Sequence, residues 1–179
     1  ADQVQFGDYT WSRNNKDGVT PLQGIKNRVN KNTAIHYAKG CSLTSLDTSG
    51  IAEAVEAAKN SEVAVIFGGS ASAALARDYK SSTCGEGFDL NDLNLTGAQS
   101  QLIREVYRTG TPVILVLVTG KPFVIEWEKN NLPAILVQWY AGEQAGNSIA
   151  DILFGEVVPS GRLTFSFPRS TGHLPVYYN

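Results

Sequence analysis

Methionine is missing from this chain of 179 residues, and histidine and cysteine occur only twice each. With no Met at its start, Ala1 reads as a processing boundary, and the chain is expected to be a piece of something longer. The two cysteines, Cys41 and Cys84, are too few for a disulfide framework and lack the C-x-x-C spacing of a metal site. Two free thiols are therefore preferred over one bridge, and no metal is expected. A nucleophilic Cys84 would need a base, and only His36 and His173 are present to serve. No charge of one sign dominates: 15 basic and 17 acidic residues leave a formal charge of -2. Their even spread provides no basic stripe, which argues against nucleic acid as a partner. Long hydrophobic runs are also lacking. The longest, Pro112 to Val118, falls far short of the ~20 residues that span a bilayer, and no basic-then-apolar segment opens the chain. A membrane-spanning segment or an uncleaved signal is not expected. Cofactor fingerprints fail as well. Gly68-Gly-Ser70 has no third glycine, and Thr119-Gly-Lys121-Pro lacks the flanking residues of a P-loop. Ser70 is not in a G-x-S-x-G elbow, because Ser72 stands in the place of the last glycine.

What is present is a composition of 42% apolar and 18% charged residues, that of one soluble domain with a real core. From Ala34 onward, short β-branched runs alternate with helical patterns, the signature of a parallel sheet covered by helices. Candidate strands are Ala34 to Tyr37, Val63 to Phe67, Val113 to Val118, Ala134 to Gln138 and Leu163 to Phe167. Three of them are apolar without alternation, as strands buried on both faces should be. Helices are expected around Ile51 to Ala58, with Thr48 or Ser49 as cap, and around Ala98 to Val106. Thr96 and Gln99 have the spacing of a capping box, and Gly110 follows as a stop. Pro122 can start a short helix through Trp127, and Ala145, Ile149 and Leu153 mark a last helix ended by Gly155. The fold class is α/β: a three-layer α/β/α sandwich with a mostly parallel sheet of about five or six strands and a flavodoxin-like outline. Residues 1–33 read as a polar entry segment with a short helix at Pro21 to Val29, packing on a sandwich of residues 34–179.

Ligands of open parallel sheets gather at the carboxyl ends of the strands, and the 24-residue stretch Gly68 to Asn91 leaves from such an end. Loops of that length are usually functional or disordered. Within it, Cys84-Gly-Glu-Gly-Phe-Asp89 sets one carboxylate between two glycines, which let Glu86 project from the tip of a turn. Near apolar walls such a carboxyl can serve as a general acid and base; the competing reading is a solvated surface carboxylate. Tyr79 and Phe88 are nearby aromatics. Asp78, Asp89 and Asp92 share the loop, and two carboxylates suffice to hydrolyse a glycosidic bond. Asp89 and Asp92, just before the next helix, suit a structural role in turns better. Trp127 and Trp139 adjoin apolar runs and read as packing residues. Trp11, in a polar segment, could stack on a sugar ring or equally cover the core.

Taken in order, the chain resembles the second, α/β-sandwich domain of family 3 glycoside hydrolases, the β-glucosidase and β-xylosidase group. The resemblance runs from Gly7-Asp-Tyr9 and Thr20-Pro-Leu-Gln-Gly-Ile25 through Gly85-Glu-Gly-Phe-Asp89 and Leu93-Asn-Leu-Thr-Gly-Ala-Gln99. It continues through Gly120-Lys-Pro122, Gln138-Trp-Tyr-Ala-Gly142, Ala150-Asp-Ile-Leu-Phe-Gly155 and Pro159-Ser-Gly-Arg-Leu163 to Phe167-Pro168 and Leu174-Pro-Val-Tyr-Tyr-Asn179.

The resemblance implies a retaining, exo-acting β-glycosidase without cofactor, hydrolysing terminal β-linked sugars from an oligosaccharide or glycoside. Its partner would be an N-terminal (β/α) barrel domain carrying an Asp nucleophile, with Glu86 as acid/base. Tyr9 and Trp11 fall where some members place an aromatic that shapes the site for the next sugar, and Phe88 and Asp78 are further candidates for substrate contact. A periplasmic or secreted location is implied in the same way. Many relatives follow the loop Asp with Arg, whereas here Leu90 follows Asp89. No barrel lies within these residues, so the chain alone is expected to hold half a site and to be inactive. The alternative is a non-catalytic α/β module that binds a small ligand or carbohydrate in the same crevice.

Overall fold

The computed structural model describes residues 5–11, 15–72, 82–87 and 89–177. Its centre is a parallel sheet of β1 (Ala64–Gly69), β2 (Val113–Val118) and β3 (Ala134–Val137) in the order β1-β2-β3. The register pairs Ala64 with Val113 and Ile114 with Ala134. β2 lies between two neighbours and needs apolar side chains on both faces. Its Val113, Leu115, Val116 and Leu117 are fully buried.

Among the described residues, five α-helices surround the sheet: α1 (Pro21–Arg28), α2 (Ile51–Lys59), α3 (Gln99–Tyr107), α4 (Glu126–Asn131) and α5 (Ala145–Leu153). A short 3-10 turn at Asn15–Asp17 precedes α1. The crossovers β1-α3-β2 and β2-α4-β3 step across the sheet in the same direction, so right-handed connections place α3 and α4 on one face. The core on that face joins Ile51 and Ala58 of α2, Leu102, Ile103 and Val106 of α3, alternate residues Val113, Leu115 and Leu117 of β2, and Phe123. Each such Leu, Ile or Phe contributes about 1.5–3 kcal/mol on burial. Trp127 of α4 meets Tyr107 edge-on at 5.3 Å and lies under Arg104. On the other face of β2 the alternating residue is Val116, also fully buried.

α1 packs on α5 with their backbones nearly touching at Gly24 and Gly146. Thr20 caps α1, its side chain accepting from the Gln23 N–H, and Pro21 occupies the first position where no donor is lost. Arg28 in the last turn of α1 pairs with Glu156 and, at 3.7 Å, with Asp151 of α5.

The strand count departs from expectation: among the described residues three strands form, not five or six. Ala34 to Tyr37 and Leu163 to Phe167 have no ladder partner among the described residues, and an apolar pattern without a neighbour's carbonyls and amides does not make a strand. Phe165 and Phe167 do lie together, stacked at 5.9 Å, and Trp139 meets Phe165 edge-on at 5.2 Å. Their alternation is thus satisfied by aromatic packing rather than by hydrogen bonding.

Helix starts shift too. α2 begins after Gly50, without a side-chain cap from Thr48 or Ser49. Ser49 is instead engaged by the Asp47 carboxylate. The helix expected from Pro122 starts only at Glu126, because the Val124 N–H donates to the Leu93 carbonyl at 2.8 Å and holds that stretch out of helical pairing. The Thr96–Gln99 capping box does not form. α3 is preceded by Ala98 with no side-chain cap, and Gln99 turns to β1.

Candidate active site

All three strands deliver a polar residue at their carboxyl ends. Ser70 follows β1, Thr119 follows β2, and Tyr140 lies just past β3. Trp139, with φ of 57°, is in the left-handed region that a bulky residue rarely adopts, and the chain bends there immediately before Tyr140. The long loop after β1 returns to the same end. Ser72 forms a parallel bridge with Cys84, and the Thr83 N–H donates to the Ala71 carbonyl at 2.9 Å. Thr83 Oγ1 accepts from the Ala71 N–H at 2.8 Å.

These residues form one buried chain of hydrogen bonds. Ser70 Oγ stands 3.0 Å from Thr119 Oγ1 and 2.7 Å from the Tyr140 hydroxyl, which is 2.8 Å from Cys84 Sγ. Each hydroxyl has a single proton, and this orders the donors. Thr119 donates to the Lys121 carbonyl at 2.8 Å, so Ser70 donates to Thr119, Tyr140 to Ser70, and the Cys84 thiol to Tyr140. Burial raises the Tyr140 phenol far above its ordinary value and keeps it a donor. Ser70 is therefore a buried link at a strand-to-loop turn, not an exposed nucleophile. Cys41 and Cys84 are both free thiols.

Glu86 follows this anchored root by two residues. Gly85 and Gly87 take φ values of 124° and 69°, and only glycine enters such conformations without a Cβ penalty. Glu86 itself is exposed, with its backbone N–H donating to Asp8 Oδ2 at 3.0 Å. That bond occupies the amide and leaves the Glu86 carboxylate at the surface. It also brings the 5–11 segment to the loop, with Gln5 bridging Gly142 further along. Tyr9, at φ of 61°, is 82% exposed, and Trp11 is fully exposed. Asp78 and Phe88 lie outside the described residues, as does Tyr79.

Asp89 is exposed, and Asp92 is a turn residue. Asp92 Oδ1 accepts from the Asn94 N–H and from the Thr171 hydroxyl, each at 3.0 Å. These bonds, the Asn94 amide foremost, hold the Asp92 carboxyl below its ordinary range. Sequence reasoning gave no role to Asp8 or Tyr140. Asp8 carries no local signal beyond its place before Tyr9, and Tyr140, three residues past β3, carries none of its own either. A cavity of about 360 Å³ lies at the opposite end of the sheet, lined by Tyr107, Thr111 and Pro133 among others, and has no part in this site.

An open parallel α/β domain that roots a double-glycine acidic turn at its strand ends is the class of protein defined here. The chain belongs to the glycosyl hydrolase family 3 C-terminal domain family, whose model matches residues 1–179. It is 44% identical over 160 residues to a beta-xylosidase of Formosa agariphila, covering 89% of this chain and 21% of that protein. To a periplasmic beta-glucosidase of Salmonella typhimurium it is 39% identical over 183 residues, covering 90% and 22%. Among solved structures, a beta-glucosidase of Erythrobacter marinus superposes with a TM-score of 0.83 at 32% identity over 99% of this chain and 26% of the other. One from Listeria innocua, solved with glucose, gives 0.78 at 29% identity over 100% and 25%. The chain thus spans about a fifth to a quarter of the length of the relatives it matches.

Proposed function

We propose that this chain acts as the second domain of a retaining, exo-acting β-glycosidase and supplies its general acid/base, Glu86. The observation that carries the reading is the Gly85-Glu86-Gly87 turn, which stands at the carboxyl ends of the parallel strands with its backbone tied down and its carboxylate outward. The names of the relatives, beta-xylosidase and beta-glucosidase, give the substrate class: a terminal β-linked sugar on an oligosaccharide or glycoside.

The second carboxylate of such a reaction is an Asp on a (β/α) barrel domain of the same enzyme, which docks against this face. That Asp attacks the anomeric carbon while Glu86 gives its proton to the departing glycosidic oxygen. Glu86, now a carboxylate, takes a proton from the water that displaces the Asp, and configuration is retained. The two carboxyl groups would stand about 5–5.5 Å apart. Tyr9, Trp11, Asp78 and Phe88 are assigned to the sugar-binding rim, and this chain without a barrel is inactive. A periplasmic or secreted location fits the periplasmic relative.

The test is Glu86→Gln in the complete enzyme. Turnover of aryl β-glycosides should fall by roughly 10²–10⁴, and azide should restore part of the rate on substrates with good leaving groups. Undiminished hydrolysis by the Gln variant overturns the assignment. A ligand bound by the isolated chain, with no hydrolysis in the presence of a barrel domain, would make it a binding module instead.

A further inference from the structure

We propose that Tyr140 is the positioning residue for Glu86, holding both anchors of its turn at once; the proposal rests on the acid/base reading of Glu86. One anchor is the root at Cys84, two residues before Glu86, whose Sγ lies 2.8 Å from the Tyr140 hydroxyl. The other is Asp8, which accepts the Glu86 N–H, and here the ring of Tyr140 is engaged. It lies against Gly7, so close that a Cβ at position 7 would stand 3.0 Å from Tyr140 Cδ2. A Cβ at Gly120 would likewise stand 3.0 Å from Cε2. The ring is therefore walled by two glycine backbones, and its hydroxyl is fixed by Ser70 at 2.7 Å.

A residue so confined transmits its own position to the 7–8 segment and to Cys84, and those are the segments that meet at Glu86. The ring sets where Asp8 can stand, and the hydroxyl sets where the loop root can stand. Ser70 and Thr119, at the ends of β1 and β2, tie the whole assembly to the sheet. Glu86 thereby acquires a fixed origin although it sits on an exposed turn. Tyr140 does not itself touch substrate. It acts through the placement of the carboxyl, and misplacing an acid by about 1 Å can cost ~10²-fold in rate.

The test measures kcat/KM of the complete enzyme on a series of aryl and alkyl β-glycosides whose leaving groups differ in pKa, for wild type, Tyr140→Phe, Cys84→Ala, Cys84→Ser and Glu86→Gln. Tyr140→Phe keeps the ring and deletes the hydroxyl. It should lower kcat/KM roughly tenfold or more on alkyl glycosides, which need the proton, and about twofold or less on dinitrophenyl glycosides, which do not. Cys84→Ala should repeat that slope in weaker form, and Cys84→Ser, which can still bond the phenol, should restore the wild-type pattern. Should Tyr140→Phe fail to fold, the Cys84→Ala and Cys84→Ser pair decides by the same criterion. An equal loss on every leaving group would mean that the network only stabilises the fold, and the positioning role falls. If Glu86→Gln is sloped while Tyr140→Phe and Cys84→Ala are flat, positioning alone is overturned. A flat response for Glu86→Gln overturns the acid/base reading and the positioning role with it.

Discussion

The backbone N–H of Glu86 donates to Oδ2 of Asp8 at 3.0 Å, across 78 positions of sequence. A carboxylate on a neighbouring segment thus takes the amide at the tip of the acidic turn, while Gly85 and Gly87 supply the φ values that turn it. Asp8→Ala should leave that amide to solvent. A charge-assisted hydrogen bond at an exposed site is worth about 1 kcal/mol here, or roughly fivefold in local opening. Amide hydrogen exchange at Glu86 should accelerate by that factor in Asp8→Ala and much less in Asp8→Asn, whose side chain still accepts. Unchanged exchange in the Ala variant would show that the turn is held by its glycines alone.

Gln99 makes a larger contribution. It is 4% exposed, and it treats Gly69 as a strand would: its Oε1 accepts from the Gly69 N–H at 2.8 Å and its Nε2 donates to the Gly69 carbonyl at 3.1 Å. The same Nε2 reaches the Leu43 carbonyl at 3.0 Å. Gln99→Leu preserves size and leaves these backbone groups buried without partners, each at about 1–3 kcal/mol. Unfolding in urea should show a loss of roughly 2–5 kcal/mol with the m-value unchanged. A loss below about 0.5 kcal/mol would mean that water or the neighbouring strand replaces the amide.

Gln99 also shows what could be read in advance and what could not. Thr96 and Gln99 carry the spacing of a local cap, yet the glutamine serves a strand 30 residues away. The runs Val113 to Val118 and Ala134 to Val137 were legible because a strand buried on both faces shows as an unbroken apolar run. α2, α3 and α5 were legible through the helical spacing of their apolar residues. Ala34 to Tyr37 and the alternating Leu163 to Phe167 also read as strands but do not form them, because a ladder depends on a partner that local sequence does not name. The site divides in the same way. Glu86 stands out by its flanking glycines, a local signature. Asp8 and Tyr140 act on it from 78 and, through Cys84, 56 positions away, and nothing in their immediate sequence announces this.

Where α1 crosses α5, the two helices meet backbone to backbone. A Cβ at Gly24 would overlap the carbonyl of Gly146, and one at Gly146 would overlap the carbonyl of Thr20. Both obstacles are main chain and cannot rotate away, so the helices must separate and the bond from the Gly146 N–H to the Val19 carbonyl, 3.0 Å, must lengthen. Ala normally favours a helix over Gly by about 1 kcal/mol. Here the sign should reverse. Gly24→Ala and Gly146→Ala should each lose roughly 2–4 kcal/mol in denaturant unfolding, in line with other overpacked sites. A stabilised Ala variant at either position would show that α1 rides loosely on α5.

Lys121 offers a stability effect with a definite pH dependence. Its Nζ is buried without a hydrogen-bond partner among the described residues, 4.5 Å over the ring of Phe123, while its stem is half-buried. Desolvation lowers its pKa from the ordinary 10.5, only partly opposed by the electrostatic pull of nearby Cys84 and Asp92. A lysine whose pKa is depressed by folding binds its proton more weakly in the native state than in the unfolded chain. Its cost is therefore fully present below the folded pKa and is relieved as pH rises from there through 10.5. Lys121→Met retains the apolar stem and removes the charge. The variant should melt roughly 2–4 °C higher than wild type at pH 7, equivalent to about 1 kcal/mol at this chain size. The gap should narrow steadily as pH is raised toward 10.5. A lower melting temperature in the Met variant, or a gap that does not change with pH, would mean that Phe123, Cys84 and Asp92 more than offset the loss of water around the ammonium group.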